Sequence, residues 1–230
     1  MTLSGQARFV KLGYKLFKKH LKNFDKIDFF IHTWKDHDYK KAIKLYKPKD
    51  YIVEKQKKKS VINDPILKKQ PGEINYHQEN GGSGNWVHYS MFYSIQQSYK
   101  LIPKGYDIIV RSRFDIGLVQ DFDFFKGVFE ANKVYAADVC RNAGVISDWL
   151  FWGRPNAMKK ILNTYDLMPE HNKNNVNMTS GEDIINATLK QKMIKRQKLP
   201  IDVRLIRKDG NKLFSDQWIW DTMLEENYLN

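Results

Sequence analysis

The amino-acid sequence predicts an α/β protein in which helices pack on both faces of a mostly parallel central sheet. Apolar, strand-like segments alternate along the chain with segments whose apolar residues recur at helical spacing. One strand-like segment, DIIVRSRFDIG at 107–117, is apolar at three successive positions, as is typical of a strand covered on both faces. This alternation is typical of parallel strands that are joined by helices.

The first part of the chain is predicted to hold two strands and two helices. A short strand in TLSGQARFV (2–10) runs into a glycine-containing turn, and an amphipathic helix follows with lysines on its polar side. KIDFFIHTW (26–34) predicts a second buried strand that ends in polar residues. We expect residues 35–85 to be polar and irregular, and WVHYSMFYSIQQSYKLI (86–102) to form a long helix.

The second part is predicted to hold the strand at 107–117, three further strand-like segments and two helices. The strand-like segments are KVYAADV (133–139), DWLFWG (148–153, a strand or a short buried turn) and IDVRLIR (201–207). One helix begins with Pro155 in its first turn. The other begins at Ser180, with Asp183 at capping-box spacing.

The composition indicates a globular protein. Of the 230 residues, 42% are hydrophobic and 13% are aromatic, and we find no repeat or linker, so we predict a single domain over 1–230. No apolar run approaches the roughly 20 residues of a membrane helix, and no secretory signal is recognisable, so we expect a cytoplasmic protein. The single cysteine, Cys140, excludes an internal disulfide, and we expect it to be buried.

Polar clusters follow three of the predicted strands: SGQAR (4–8), HTW (32–34) and RSRFD (111–115). In open α/β sheets ligands bind beyond the carboxyl ends of the strands, so we expect these three clusters to form one polar cleft.

RSRFD places two guanidinium groups and a carboxylate on one face of an extended chain, because Arg111, Arg113 and Asp115 alternate in sequence. They could pair with one another, or hold a metal-bound phosphate, since carboxylates bind Mg²⁺ or Mn²⁺ and arginines bind phosphate oxygens. The trio carries one excess positive charge, which a diphosphate would neutralise. We expect the three side chains to lie open in the cleft.

Five segments occur in the order found in a known enzyme family: SGQAR (4–8), FFIHTW (29–34), YDIIVRSRFD (106–115), SDWLFWGRPNAM (147–158) and SGEDIINATL (180–189). Together they resemble small nucleotide-sugar glycosyltransferases of the GT-A type, which are known from bacteria and large DNA viruses. The resemblance implies a Rossmann-like GT-A domain that uses a UDP- or GDP-linked sugar. Its nucleotide-binding half would be about 1–117, and its acceptor-binding half about 118–230.

The resemblance also implies a divalent metal, Mn²⁺ or Mg²⁺, held by an Asp-x-Asp motif. Arg113-Phe114-Asp115 stands in that place, so Asp115 would be the metal ligand, and the loss of the first acid puts strict metal dependence in doubt. Two literal matches are alternatives: DHD (36–38), which directly follows the second strand, and DFD (121–123), which we expect to be a surface turn pinned by aromatic residues.

The nucleotide contacts implied by the resemblance are Gly5 and Arg8 in the first cluster and Thr33 and Trp34 in the second. Gly5 would let the backbone approach the ligand, and Arg8 would pair with the diphosphate. Each has an ordinary structural alternative: a glycine turn with an exposed arginine, and a core tryptophan. We expect His32, inside the strand, to be a packed residue.

An inverting glycosyltransferase needs a carboxylate that takes the proton from the acceptor hydroxyl. Asp148 and Glu182 are the candidates; Asp148 precedes an aromatic stretch in which Trp149, Trp152 and Gly153 would suit a sugar. Those tryptophans also allow a non-catalytic carbohydrate-binding module.

The formal net charge of +13 favours anionic ligands and leaves a nucleic-acid-binding protein as an alternative. No zinc spacing or RNA-recognition signature is present, so we expect a sugar-nucleotide donor and a glycan or other hydroxyl acceptor, and no nucleic acid. The lysine-rich loop at 55–59 could make a peripheral membrane contact.

Overall fold

The structure is a computed structural model that describes residues 1–36, 38–56, 85–127, 129–138, 145–178, 180–209 and 212–214. Within these ranges the chain forms six α-helices: α1 (Val10–His20), α2 (Tyr39–Tyr46), α3 (Asn85–Lys100), α4 (Pro155–Leu162), α5 (Met168–Lys173) and α6 (Gly181–Gln191). The strands in these ranges are β1 (Thr2–Gly5), β2 (Phe30–Trp34), β3 (Asp50–Glu54), β4 (Ile109–Ser112), β5 (Ile116–Leu118), β6 (Lys133–Ala137), β7 (Leu150–Gly153), β8 (Lys195–Leu199), β9 (Val203–Leu205), β10 (Arg207–Asp209) and β11 (Lys212–Phe214). Cys140 lies outside the described residues. So do residues 57–84, which include most of the lysine-rich loop at 55–59 for which a membrane contact is predicted.

Seven strands form the central sheet, in the order β3-β2-β1-β4-β7-β6-β8. Every neighbouring pair is parallel except the two that β7 makes with β4 and β6. The predicted α/β class and mostly parallel sheet are therefore confirmed.

Helices α1 and α2 cover one face of the sheet. Successive residues of a strand point to opposite faces, and alternate apolar residues of the sheet join the buried side chains of these two helices in one cluster. The members from β1, β2, β4, α1 and α2 include Leu3, Ile31, Val110, Phe17 and Tyr46.

Helices α3 to α6 cover the opposite face. The other alternate residues of β4, β6 and β7 point this way and pack with the apolar sides of these helices. Representative members are Ile109, Phe151, Phe92, Ile161 and Ile185. The prediction of helices on both faces is confirmed.

A two-stranded sheet of β5 and β9 packs on α1. Gly13 of α1 allows this contact, because a Cβ at that position would lie 2.3 Å from the carbonyl oxygen of Phe114. Phe114 stands between Arg113 and Asp115, so the close helix contact also fixes the backbone of the predicted site.

Residues 35–85 contain more structure than the sequence predicts. The expectation of an irregular chain is wrong for α2 and β3, which cover much of 39–54. Strands β5 and β8 and the short helix α5 are also additions to the predicted elements. The helix starts at Pro155 and Ser180 are confirmed, and the Ser180 hydroxyl accepts the Asp183 N–H at 3.1 Å.

None of the helices in the described part of the chain is long and apolar enough to cross a bilayer.

Candidate functional site

The polar clusters meet at one edge of the sheet. Strands β1, β2, β3 and β4 all run in the same direction, so their carboxyl ends lie together. Strand β7 is antiparallel to β4 and pairs Leu150 with Ser112, which brings Asp148 to the same edge. The start of α6 also lies here, because a Cβ on Gly181 would be 3.2 Å from Oδ2 of Asp148.

Arg113 and Asp115 form a two-point ion pair at this edge. Nε of Arg113 donates to Oδ1 of Asp115 at 2.7 Å, and Nη2 donates to Oδ2 at 2.9 Å. Arg8 reaches the same carboxylate at 3.6 Å, and Nη1 of Arg113 lies 3.9 Å from Oδ2 of Asp148. Two strand ends and the start of β7 thus contribute to one charged cluster.

The electrostatic setting of Arg113 keeps it charged. Burial alone would lower its pKa, but the charge and hydrogen bonds of Asp115, followed by the charge of Asp148, raise the pKa above its ordinary value. The guanidinium is therefore a permanent cation, oriented by Asp115 and with its remaining edge toward Asp148.

Arg111 lies beneath this pair, inside the sheet layer. It is 1% exposed, and its guanidinium carbon is 5.6 Å from the centre of the Phe151 ring. Its Nε and Nη1 have no hydrogen-bond partner among the described residues. Burial lowers its pKa to about 10, against the opposing charge of Asp148. Arg111 therefore adds positive potential to the site from within the protein.

The expectation that Arg111, Arg113 and Asp115 all lie open in the cleft is wrong. Arg111 and Asp115 are buried, at 1% and 3% exposure, and Asp115 is held by Arg113. The exposed cation is Arg8, whose side chain is 52% exposed. The pairing costs less free energy than leaving a buried carboxylate alone, which explains why Arg113 and Asp115 close on each other.

Asp148 and Glu182 form a carboxylate pair next to the cluster. Asp148 is 6% exposed, and Glu182 is half-buried at the first turn of α6. Burial and then the charge of Asp148 raise the pKa of Glu182, against weaker hydrogen bonds from its own backbone and from Ser180. The structure brings both predicted acids together, and their catalytic roles stay predictions.

Gly5 is held in place by a buried polar network. Its φ of 104° is a conformation that favours glycine, and its N–H donates to the Ser94 hydroxyl at 2.8 Å. The same hydroxyl bonds Nδ1 of His32 at 2.6 Å, and Nε2 of His32 bonds Oε1 of Glu54 at 2.9 Å. His32 is fully buried, as predicted. The network ties the end of β1 to α3, β2 and β3.

Thr33 and Trp34 have internal positions. Thr33 is fully buried, and its hydroxyl donates to the Gly5 carbonyl at 2.9 Å. Trp34 is 3% exposed, and its ring lies parallel to Tyr93 with centres 6.1 Å apart. This is the core alternative for Trp34, and contact of either residue with a nucleotide stays a prediction.

Trp152 does not face the site. It is fully buried on the α1 side of the sheet, against Phe122 and Phe124. The expectation that its ring suits a sugar is wrong, and the carbohydrate-binding hypothesis loses this residue.

The arrangement of Asp115 does not fit a metal ligand as it stands, because both of its oxygens accept hydrogen bonds from Arg113. In the described ranges, no group of three or more His, Cys, Asp or Glu side chains is placed to hold a metal ion. The metal stays a prediction.

Both Asp-x-Asp alternatives make bonds within the chain. The carboxylate of Asp36 accepts the backbone N–H groups of Ala7 at 2.8 Å and Asp38 at 3.1 Å, and residue 37 is not described. Asp121 pairs with Lys22 at 2.5 Å, and the turn carrying it packs Phe122 on Phe124, as predicted.

Sequence reasoning missed Ser94 and Gly181. Ser94 had a detectable signal, because Ser90, Ser94 and Ser98 recur every fourth residue on the buried side of α3. Gly181 had none, since its closeness to Asp148 joins residues that are distant in sequence.

Comparisons with known proteins give only distant likenesses. No family model matches the chain, and no curated protein matches its sequence. The glycosyltransferase GlyE of Streptococcus pneumoniae TIGR4 is 14% identical with a TM-score of 0.47, over 86% of this chain and 44% of that chain. The PaToxG glycosyltransferase is 16% identical with a TM-score of 0.41, over 84% and 66%. The chain spans less than two thirds of the length of either.

Proposed function

We propose that the protein is an enzyme that transfers a sugar from a nucleoside-diphosphate donor, UDP- or GDP-linked, to a hydroxyl group of a glycan or another acceptor. The observation that carries this proposal is the convergence of Arg8, Arg111 and Arg113 with Asp148 and Glu182 at the carboxyl edge of the sheet. Cations suited to a diphosphate and acids suited to a hydroxyl proton lie within one cluster.

The arginines would stabilise the departing diphosphate. Negative charge grows on the leaving group in the transition state, and fixed cations in a partly buried site stabilise it strongly. Arg8 is the exposed member and would contact the phosphates first. Arg113 is already oriented by Asp115, so little reorganisation would be needed at the moment of reaction. Arg111 would contribute through its charge rather than by contact.

Asp148 and Glu182 would handle the proton of the acceptor hydroxyl. A general base works best when its pKa lies close to the working pH. Burial and then the charge of Asp148 move the pKa of Glu182 in that direction, and Oδ2 of Asp148 lies 3.9 Å from Nη1 of Arg113. Glu182 would accept the proton, and Asp148 would orient the acceptor. Both acids belong to the half of the chain, about 118–230, that we propose binds the acceptor.

Nucleotide binding to the intact chain tests the proposal, since a ligand that binds only the folded state raises the melting temperature. We expect UDP or GDP to raise the melting temperature more than the corresponding monophosphate does. We also expect the protein to release the nucleoside diphosphate from a matching sugar nucleotide. Each measurement is made with and without Mn²⁺, because Arg113 occupies both oxygens of Asp115, the predicted metal ligand.

Arg8→Ala and Arg196→Ala form the matched pair of variants. Both arginines are exposed, but Arg196 lies on β8, at the far end of the sheet order. The Arg8 variant should melt like the parent and lose the diphosphate response by about tenfold in affinity, the typical effect of one charge-assisted contact. The Arg196 variant should keep it. The proposal fails if no nucleoside diphosphate stabilises the protein with or without metal, or if both variants respond alike.

A further inference from the structure

The positive charge of the protein is concentrated in one short segment. Residues 10–49 contain 12 lysines, four aspartates and no arginine, which gives +8 of the total charge of +13. All 12 lysines are exposed. Such charge asymmetry indicates a surface that meets a negatively charged partner.

The fold gathers much of this charge on one side. Helices α1 and α2 pack next to each other on the same face of the sheet, so their outward sides form one surface. We call this surface the lysine face; it is formed by Lys11, Lys15, Lys18, Lys40, Lys44 and Lys47.

The charges of the lysine face are not neutralised by neighbouring acids. None of its six lysines makes an ion pair with a carboxylate of the described residues. Three other lysines of the segment do, since Lys22 pairs with Asp121, Lys41 with Asp38 and Lys49 with Asp28. The six lysines of the face therefore keep their positive charge without a neighbouring carboxylate among the described residues.

Exposed apolar side chains flank the lysine face. Tyr51 is 50% exposed on the edge strand β3 and pairs with Ile31, whose side chain points to the α1 and α2 side of the sheet. Phe125 is 55% exposed in the turn that bonds to the end of α1, where the Lys22 N–H donates to the Phe122 carbonyl. Aromatic side chains beside lysines are suited to the headgroup region of a bilayer.

We propose that the lysine face docks the protein on an anionic lipid bilayer. Lysine is a compact, strongly hydrated charge that responds to the field of a negative surface, and each one near such a surface strengthens binding roughly fivefold. Recognition of single phosphates in nucleic acid would favour arginine, which this segment lacks entirely. The flanking aromatic side chains also favour lipid, because such side chains are suited to the headgroup region of a bilayer.

Docking in this way leaves the candidate site uncovered. Helices α1 and α2 each begin just after the carboxyl end of a strand and run back along one face of the sheet. The lysine face therefore covers that face of the sheet, and the candidate site lies beside it at the carboxyl edge. The proposal does not depend on the proposed glycosyl transfer, and its test measures no catalysis.

Sedimentation of the full chain with lipid vesicles tests the proposal. The probes are vesicles of phosphatidylcholine alone and of phosphatidylcholine with about 30 mol% phosphatidylglycerol, at about 0.05 M and about 0.3 M NaCl. We expect binding to the anionic vesicles only, and weaker binding at the higher salt concentration.

Two triple variants with the same net charge separate the lysine face from overall charge. Lys15→Glu, Lys18→Glu and Lys44→Glu reverse the charge of three of the six lysines of the face. Lys159→Glu, Lys173→Glu and Lys190→Glu change exposed lysines of α4, α5 and α6 on the opposite face of the sheet. The first variant should lose about a hundredfold in vesicle affinity, and the second less than about tenfold. Circular dichroism confirms that each variant is folded, and Phe125→Ala, which alters no charge, should weaken binding severalfold.

Three results overturn the proposal. One is equal binding to neutral and anionic vesicles. Another is an equal loss in the two triple variants, which would show that net charge alone governs binding. The third is tighter binding of a labelled RNA or DNA duplex than of anionic vesicles, with loss of that binding in the first triple variant, which would assign the lysine face to nucleic acid.

Discussion

Asp115 shows how one buried carboxylate can organise a site made of cations. It accepts both hydrogen bonds from Arg113 and attracts Arg8, so its neutralisation would take the two-point partner from the largely buried Arg113 and leave it the more distant Asp148, 3.9 Å away. Breaking a buried pair in this way costs about 3 kcal/mol. We expect Asp115→Asn to lower the free energy of unfolding by that amount in urea denaturation.

Asp202→Asn is the matched control for Asp115→Asn. Asp202 pairs with Arg204 at the same two-residue spacing, with Nη2 donating to Oδ2 at 2.9 Å, but its side chain is 39% exposed. The Arg204 side chain is as buried as that of Arg113, at 12% against 17% exposure, but the Asp202 carboxylate is open to water whereas the Asp115 carboxylate is 4% exposed. An ion pair with an exposed carboxylate contributes little, so the loss there should stay below about 1 kcal/mol. Equal losses in the two variants would contradict the organising role of Asp115.

Glu182 should make the stability of the protein depend on pH. Burial and Asp148 raise its pKa above the ordinary value of 4.5, so the folded state keeps this proton to a higher pH than the unfolded chain does. Between 4.5 and the raised pKa, the contribution of Glu182 to stability therefore falls as the pH rises. The glutamine side chain does not titrate in this range. The stability of Glu182→Gln relative to the parent should increase across this window in urea denaturation and then level off.

The Asp148→Asn background isolates the part of this dependence that comes from the charge of Asp148 rather than from burial. Without the charge of Asp148 the shift is smaller, so the pH-dependent difference between glutamate and glutamine at 182 should shrink. A difference that is constant with pH in both backgrounds would show that Glu182 has an ordinary pKa.

At the scale of elements, α3 supports the site through one buried hydroxyl. Ser94 accepts the Gly5 N–H and bonds His32, so alanine at this position removes a hydrogen bond from the Gly5 N–H and from Nδ1 of His32. Such a loss costs about 2 kcal/mol. We expect Ser94→Ala to lower the free energy of unfolding by that amount in urea denaturation and to weaken nucleoside-diphosphate binding, because Gly5 is a predicted contact.

Ser98→Ala is the control on the same helix. Ser98 is equally buried, but among the described residues its hydroxyl donates to the Ile95 carbonyl of its own helix, at 2.8 Å, and to no other element. Alanine is the better helix former, so this change should cost less than about 0.5 kcal/mol. Similar losses at 94 and 98 would mean that the Gly5 network adds no particular stability.

The elements that the sequence predicts are those with long patterns or strong end signals. The helix α3 has 16 residues of helical periodicity, and α4 and α6 have a proline and a serine at their starts. The missed elements lack such signals. Helix α2 has eight residues and buries only Ala42 and Tyr46, and β8, KRQKL, is an edge strand of mostly charged residues. Charged residues on an edge strand oppose aggregation, but a strand made of them lacks the apolar pattern by which strands are predicted.

At the scale of the whole molecule, sheet topology explains which parts of the site could be predicted. Polar residues after parallel strands had to meet at one edge, so the clusters at 4–8 and 111–115 were brought together as expected. The pairing of Asp115 with Arg113, and of Gly5 with Ser94, depends on side-chain directions and on contacts between residues distant in sequence. No local pattern specifies these, and the expected openness of the arginines therefore failed.

The uneven distribution of charge should also be visible in the stability of the whole molecule. Like charges repel more strongly when they are crowded, and salt screens this repulsion over a Debye length of about 10 Å at 0.1 M and about 3 Å at 1 M. The variant Lys15→Glu, Lys18→Glu, Lys44→Glu and the variant Lys159→Glu, Lys173→Glu, Lys190→Glu each lower the net charge of +13 by six. The first relieves the segment that carries +8, so it should melt several degrees higher than the second at about 0.05 M NaCl. The difference should close near 1 M NaCl, where screening removes the repulsion that distinguishes the two surfaces. If the melting temperatures agree at low salt, or if their difference survives at high salt, repulsion across the α1 and α2 surface is not what separates them.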